Sequence, residues 1–455
     1  MRWSMWLPLL VLCGASCKKV SDDDDDDDAT CTVGEPDSCP GGEVCEDVDG
    51  GEPACFAPLS VSGWVYDLAD DGGVEGARVV ARDANGAALS SVAVTAADGT
   101  YELAVPTRRD ADGQPIGDAF TLRADAAGYV SFPVAPRTAL PLDPEAATVE
   151  DPVLTGVAAD IGLLALDDAG GLGSIAGRVD AGSAETGPGG TLVVGGGRTA
   201  VADRDGTFVV FNVAPGSVEV AGYRQGLNLN PASAEVEAGE RTEGVVLEAE
   251  GAAEGSASGT VQIVNAPGGA VTSVILVVED TFDAQAIRGE APAGLRAAGV
   301  TGDWSIEGVP DGRYVVLAAF ENDDLVRDPD TSIGGTDIVT IDVRGGEEVV
   351  DGFKVTEALA VIGPGADEPD LVSAPLTLEW VDDSSEDEYE VEVFDALGNL
   401  VWGATVEGPR GNDPASVAYD GPLESGMVYQ FRATSIKDGV PLSTTEDLRG
   451  VFQAK

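Results

Sequence analysis

From residue 58 onward one pattern occurs three times, and it constrains the fold more than any other feature of this chain. Each copy opens on a strand-like segment that carries a glycine: Val61-Ser62-Gly63-Trp64-Val65, Ile175-Ala176-Gly177-Arg178-Val179 and Ala257-Ser258-Gly259-Thr260-Val261. A second apolar segment follows, at Ala77–Ala81, Thr191–Val194 and Val274–Val278. A glycine turn then delivers one aromatic residue into the next strand: Asp98-Gly99-Thr100-Tyr101, Asp205-Gly206-Thr207-Phe208 and Gly302-Asp303-Trp304. Glycine permits positive φ in such a turn, and the aromatic that follows is expected to enter a core. Each copy closes on one more strand, Ile161–Leu166, Val245–Leu247 and Phe353–Val355. The first copy carries an insertion, Thr107–Asp118, and the third a longer one between Asp280 and Gly302. A fixed order of short segments that recurs in this way implies repeated β units.

The three segments, 58–168, 173–250 and 255–357, resemble the carboxypeptidase regulatory-like domain, also called transthyretin-like or prealbumin-like. The first matches best, through Gly63, Gly76-Ala77, the Asp98–Tyr101 turn and the ending Ala126-Ala127-Gly128-Tyr129. The resemblance implies a seven-stranded sandwich, used as an accessory fold without catalytic residues of its own. The region 360–455 differs. Pro375–Trp380 reads as a strand with an inward tryptophan, and Tyr389–Phe394 and Gly426–Ala433 alternate as half-buried strands do. This region is similar to a fibronectin type III module, which implies Trp380 and Tyr429 as core landmarks. The expected fold class is all-β: tandem seven-stranded β-sandwiches, prealbumin-like and then fibronectin type III-like, after a small disulfide-rich module.

The amino terminus supplies an address. Arg2 precedes an apolar stretch, Trp3–Cys13, that is shorter than the roughly 20 residues of a membrane-spanning helix and suits a signal sequence. Gly14-Ala15-Ser16-Cys17 resembles the lipobox of bacterial lipoproteins, although Gly14 stands where that family usually has leucine. The resemblance implies removal of 1–16, acylation of Cys17, and an acyl anchor in membrane lipid; an ordinary secretory signal is the alternative. Lys18 occupies the place where an aspartate often directs inner-membrane retention, so the resemblance points to an outer-membrane lipoprotein, on the cell surface or the periplasmic face. The stretch 17–30 contains the run Asp22–Asp28, whose self-repulsion makes it an extended tether.

Six cysteines are present, and Cys13 leaves with the signal peptide. With Cys17 acylated, Cys31, Cys39, Cys45 and Cys55 remain, an even number in an oxidising compartment. Their module, 31–57, is too small for a core and is expected to rest on two disulfides; the spacing leaves all three connectivities open. Metal ligation is the rival reading. The module resembles the cysteine-rich knots near the amino termini of secreted myxobacterial proteins.

The chain has 81 acidic and 25 basic residues, a net charge of -56 and no histidine. Such a surface repels nucleic-acid phosphates. The missing histidine removes the usual general base, the Ser-His-Asp arrangement and most zinc sites. Lysines are confined to Lys18, Lys19, Lys354, Lys437 and Lys455. No enzyme is expected. The one candidate cofactor is calcium, at Glu321, Asp323, Asp324, Asp328 and Asp330, whose oxygens fall at short spacing. Asp203-Arg204-Asp205-Gly206 and Asp110-Ala111-Asp112-Gly113 leave the calcium-loop pattern incomplete, and Gly195-Gly196-Gly197-Arg198-Thr199 lacks the lysine of a phosphate loop and reads as a turn.

These features describe a lipid-anchored surface or periplasmic binding or adhesion protein whose sandwich loops or edges meet an unknown surface protein or glycan. A structural spacer or assembly component is the alternative, and an enzyme accessory protein a remote one. Nearly every aromatic fits a core position, which favours a protein partner or a spacer over a glycan binder. Intact mass of the membrane-extracted protein is expected to show loss of residues 1–16 and a gain of acyl mass. A Cys17→Ser variant is expected to appear in the soluble fraction; an unmodified Cys17 in the wild type would refute the anchor.

Overall fold

The computed structural model describes residues 31–33, 38–134, 137–184, 186–264, 269–284, 288–318, 325–327, 338–350, 352–383, 386–409, 413–446 and 448–455. The all-β architecture expected from the sequence is the one observed. The described strands build a small hairpin module and four two-sheet sandwiches in chain order.

The three repeats share one topology. In each, the opening strand lies between two partners of opposite sense. Leu59–Asp67 pairs antiparallel with Thr100–Val105 and parallel with Val153–Leu154 and Ile161–Leu163. Gly173–Asp180 pairs antiparallel with Thr207–Val213 and parallel with Arg241–Ala252. Gly255–Val264 pairs antiparallel with Asp303–Val309 and parallel with Glu347–Val349 and Phe353–Glu357. The facing sheets centre on Arg78–Arg82 with Thr121–Asp125, Leu192–Gly195 with Gly216–Tyr223, and Thr272–Val278 with Gly312–Ala318. The first sandwich has sheets of four and three strands; the second has four and four, the third five and four. In the facing sheet the difference comes from the edge strands Ala232–Val236 and Val339–Val343, whereas Arg198–Val201 and Arg296–Val300 take the place that Ala93–Val94 holds in the first copy.

The repeated glycine and the repeated aromatic face each other. Gly63 is in register with Tyr101, Gly177 with Phe208, and Gly259 with Trp304. The three rings are 6%, 1% and 5% exposed. A Cβ on Gly63 would overlap the Ala159 carbonyl oxygen and sit 2.7 Å from the Tyr101 hydroxyl; one on Gly177 would overlap the Val245 carbonyl and the Phe208 ring. On Gly259 it would lie 3.0 Å from both the Trp304 ring and the Val350 carbonyl. Val245 lies in the parallel strand, and Ala159 and Val350 lie between its paired segments, so all three carbonyls approach where regular parallel pairing is interrupted. The interruption is the gap between Val153–Leu154 and Ile161–Leu163, the register shift between Ile175 and Gly177, and the gap between Glu347–Val349 and Phe353–Glu357. Tyr101 seals its copy by donating its hydroxyl proton to Ala159 O at 2.6 Å, and burial pushes that hydroxyl's pKa up.

The turns before the aromatics are built by their own side chains. Asp98 accepts from the Thr100 amide and hydroxyl, and Asp205 does the same from Thr207. The threonine hydroxyls, then the amides, hold both carboxyls below the usual carboxylate range.

In the C-terminal sandwich, Leu376–Trp380 pairs with Val361–Gly363 and Ala415–Tyr419. The facing sheet is built on Glu388–Asp395, Leu400–Glu407, Val428–Lys437 and Val451–Ala454. Trp380 is fully buried, edge-on to Tyr389 at 5.2 Å. Tyr429 stacks on Phe452 at 5.5 Å, and its hydroxyl accepts from the Glu424 amide at 3.0 Å. Both expected landmarks therefore lie in the core.

Gly63→Ala and Gly177→Ala are expected to destabilise their sandwiches by about 3 kcal/mol each, and Gly259→Ala by about 1 kcal/mol, because backbone and ring must move furthest at the first two. Denaturant unfolding of the three variants checks that order.

Candidate functional site

The first sandwich touches every other module, and its arginines make many of these contacts. Segment 58–168 contains six arginines and no lysine. Each of the six bonds a residue of another module.

Arg108 and Arg109 lie on the short hairpin Arg108–Arg109 with Pro115–Ile116, which is the insertion Thr107–Asp118. Beside it sits the N-terminal module, a hairpin of Val44–Glu46 with Ala54–Phe56, closed by Cys31–Cys45 and Cys39–Cys55 disulfides. Arg109 is fully buried. Its Nε donates to Glu46 Oε2 at 2.5 Å and its Nη2 to Ala57 O at 2.9 Å, while its guanidinium lies 4.8 Å over the Phe56 ring. Burial pushes the Glu46 carboxyl up, opposed by the Arg109 guanidinium and the Thr107 amide. Arg108 adds an exposed pair with Asp49, of the kind that contributes little. The insertion is thus the seat of the cysteine module.

Arg78 and Arg82 emerge from the central strand of the facing sheet, and Arg123 from its neighbour Thr121–Asp125. Arg78 donates to Thr207 O of the second sandwich at 3.3 Å. Arg123 is held by Asp125 at 2.6 Å and donates to the carbonyl and hydroxyl of Thr199 at 3.0 and 2.7 Å. Its Nη1 lies 3.0 Å from Glu290 of the third sandwich, which also pairs with Arg82. Asn212 of the second sandwich completes this side. It adopts φ 59° and its amide donates to Ala126 O and Tyr129 O while accepting from the Gly128 amide. The ending Ala126–Tyr129 is therefore the surface that Asn212 reads. Arg137 turns to the C-terminal sandwich, donating to Leu397 O at 3.1 Å and to Gly162 O at 2.6 Å; beside it the Thr138 amide donates to Gly398 O.

A cleft of about 270 Å³ opens between the first and C-terminal sandwiches, with Asp118, Asp143, Glu145, Asp367 and Glu368 in its lining and Arg449 among them. Among the described residues, the group of three ligand-type side chains close enough to share an ion is Cys31, Cys39 and Cys55, and these sulfurs are consumed by the disulfides. Cys17 and the calcium candidates Glu321, Asp323, Asp324, Asp328 and Asp330 lie outside the described residues. The two incomplete acidic turns satisfy backbone instead: Asp110 accepts from the Asp112 and Gln114 amides, and Asp203 from Arg204 and from Val92 of the first sandwich. Gly196 and Gly197, at φ 59° and 72°, form the two-residue hairpin turn expected of that run.

Sequence reasoning overlooked the arginines because their partners are distant and mostly backbone oxygens. One local signal was available: all the cations of segment 58–168 are arginines, the residue suited to buried, forked hydrogen bonding. Several aromatics also depart from the core expectation, Tyr129, Tyr223 and Trp402 among them. Trp64 and Tyr66 are half-buried and stack on each other at 4.4 Å, with the Trp64 indole donating to Asp98 O.

No family model matches the chain, and no curated protein matches it. Solved structures similar to it include the Bacillus anthracis TIE protein, 11% identical over 84% of this chain and 66% of that one, with a TM-score of 0.16. A DUF3823 family protein from Bacteroides ovatus is 13% identical over 44% of this chain and 100% of that one, with a TM-score of 0.22. Two B repeat units of the collagen binding protein of Staphylococcus aureus are 13% identical over 88% and 99%, with a TM-score of 0.17. Likenesses at these scores carry no argument about activity or partner. What the fold and the junctions define is a class: a multi-module β-sandwich protein organised around its first sandwich.

Arg109→Met is expected to loosen the cysteine module by about 3–5 kcal/mol, since Glu46 is left buried without its cation. The double variant Arg109→Met/Glu46→Met is expected to lose less than the single one. Limited proteolysis within 31–57 and denaturant unfolding measure both.

Proposed function

We propose that this protein is a lipid-anchored adhesion or docking protein of the bacterial outer membrane, held by acylated Cys17 and presenting its sandwiches together to a protein partner. The observation that carries the reading is the set of six arginines in 58–168, each bonded to another module. Such bonds fix loops of different modules in mutual position, as a composite recognition surface requires. A spacer needs length alone and has no use for these contacts. A protein partner is favoured over a glycan because many of the large rings are committed to cores: Trp304, Trp380, Tyr101, Tyr314, Tyr389 and Tyr429 are buried, and the half-buried Trp64 and Trp402 spend their indole N–H groups on Asp98 O and Asp420. The lack of histidine supports a non-catalytic role. With a net charge of -56, the partner's complementary face is basic, and salt weakens the association.

Capture from outer-membrane fractions by the anchored full chain is expected to yield a stoichiometric protein partner that is released as salt is raised. Recovery of no partner under gentle cross-linking would return the protein to the spacer reading.

A further inference from the structure

The third sandwich has a sheet that is apolar on both faces. Thr272–Val278 is buried along its whole length, beside Gly312–Ala318. Alternation explains half of this: Val274, Leu276, Val278, Tyr314 and Val316 fill the sandwich interior. Ile275, Val277, Val315 and Leu317 point the other way and form a separate cluster on the outer face. A sheet face that meets water carries polar residues at such positions, so this face is built to be covered.

Its cover is shared: the third sandwich's own insertion lays Ala291 and the half-buried Phe282 on it, and the first sandwich closes the remainder. The buried apolar residue that the first sandwich contributes to this cluster is Ala87. Beside it, Ser273 and Asn85 meet at 3.4 Å. The rim is charged. Glu290 pairs with Arg82 and, at 3.0 Å, with Arg123, and the three side chains are only 22%, 13% and 3% exposed. Asp125 faces Arg123, and Asp83 lies 3.9 Å from Arg296. One alanine offers little apolar area, so closure depends on the Glu290 pairs. A buried cation whose partner is lost is strongly unfavourable, and here two guanidiniums would be left with Asp125 to share.

We propose that the first sandwich is a latched cap on the outer face of the third, and that Glu290 is the latch: without its charge the cap lifts and the part of the Ile275, Val277, Val315 and Leu317 face that lies against Ala87 opens. The inference depends on neither the Cys17 anchor nor the partner proposed above. Both sandwiches are also bonded to the second, through Arg123–Thr199 and through Gly226 N–H to Gly308 O, so release swings the cap without separating the chain.

The test uses the full chain with Asn85→Cys and Ser273→Cys, which places two thiols at the closed contact. In the parent background this pair is expected to form a disulfide readily. Adding Glu290→Gln is expected to slow its formation about tenfold and to raise binding of a hydrophobic dye, while Glu290→Asp restores the parent behaviour. Equal disulfide rates and equal dye binding in the parent and Glu290→Gln backgrounds would overturn the proposal. If Glu290→Gln lowers the melting of the whole chain, Arg82→Gln, with Glu290 intact, gives the same comparison; an unchanged rate there overturns it equally.

Discussion

Each repeat depends on one contact: an aromatic ring laid across a strand glycine, with a carbonyl from the neighbouring parallel run of chain pressed against the same spot. The pairs are Gly63 with Tyr101, Gly177 with Phe208 and Gly259 with Trp304. Any side chain on the glycine would displace both the ring and the carbonyl. The contact ties together the antiparallel and the parallel neighbour of the central strand, and so fixes the order of the whole sheet. Everything outside it is free to vary, which is why one copy carries the insertion Thr107–Asp118 and another one between Asp280 and Gly302 without losing the topology.

The second constraint is charge. Modules that share an excess of 81 acids over 25 bases repel one another, and apolar contact has to overcome that repulsion. The first sandwich meets it with arginines aimed largely at neutral acceptors: the carbonyls of Ala57, Thr199, Thr207 and Leu397. A guanidinium bonded to a carbonyl keeps its positive charge at the junction, where it screens the acids around it. The Arg108–Asp49 pair is exposed, while the carboxylate pairs to Glu46 and Glu290 take enclosed positions. Buried ion pairs of this kind specify geometry more than they add stability.

The sandwiches were legible in the sequence because their determinants are local. A glycine turn followed by an aromatic, and a strand glycine at matching register, can be read within a few residues. Trp380 and Tyr429 were legible for the same reason. The junctions were not, because their information is distributed: Arg137 and Leu397 are 260 positions apart, and Arg82 and Glu290 are 208 apart. The insertion Thr107–Asp118 reads as a decoration until Arg109 is seen inside the cysteine module. The acidic turns at Asp110 and Asp203 resemble incomplete ion sites because the residues that satisfy a backbone amide are the ones that would ligate a cation. The disulfide pairing required the fold itself, since hairpin register alone brings Cys45 opposite Cys55 and yet each bonds elsewhere.

The parallel pairing of first and last strands in each repeat has a mechanical consequence. Leu59–Asp67 beside Ile161–Leu163, Gly173–Asp180 beside Arg241–Ala252, and Gly255–Val264 beside Phe353–Glu357 all run in the same direction. Tension applied between the two ends of a repeat therefore pulls these neighbours past each other along their length. Their hydrogen bonds are strained together instead of being peeled one at a time, and rupture requires many to fail at once. A chain fastened at one end and gripped at the other would meet flow or traction with its strongest geometry.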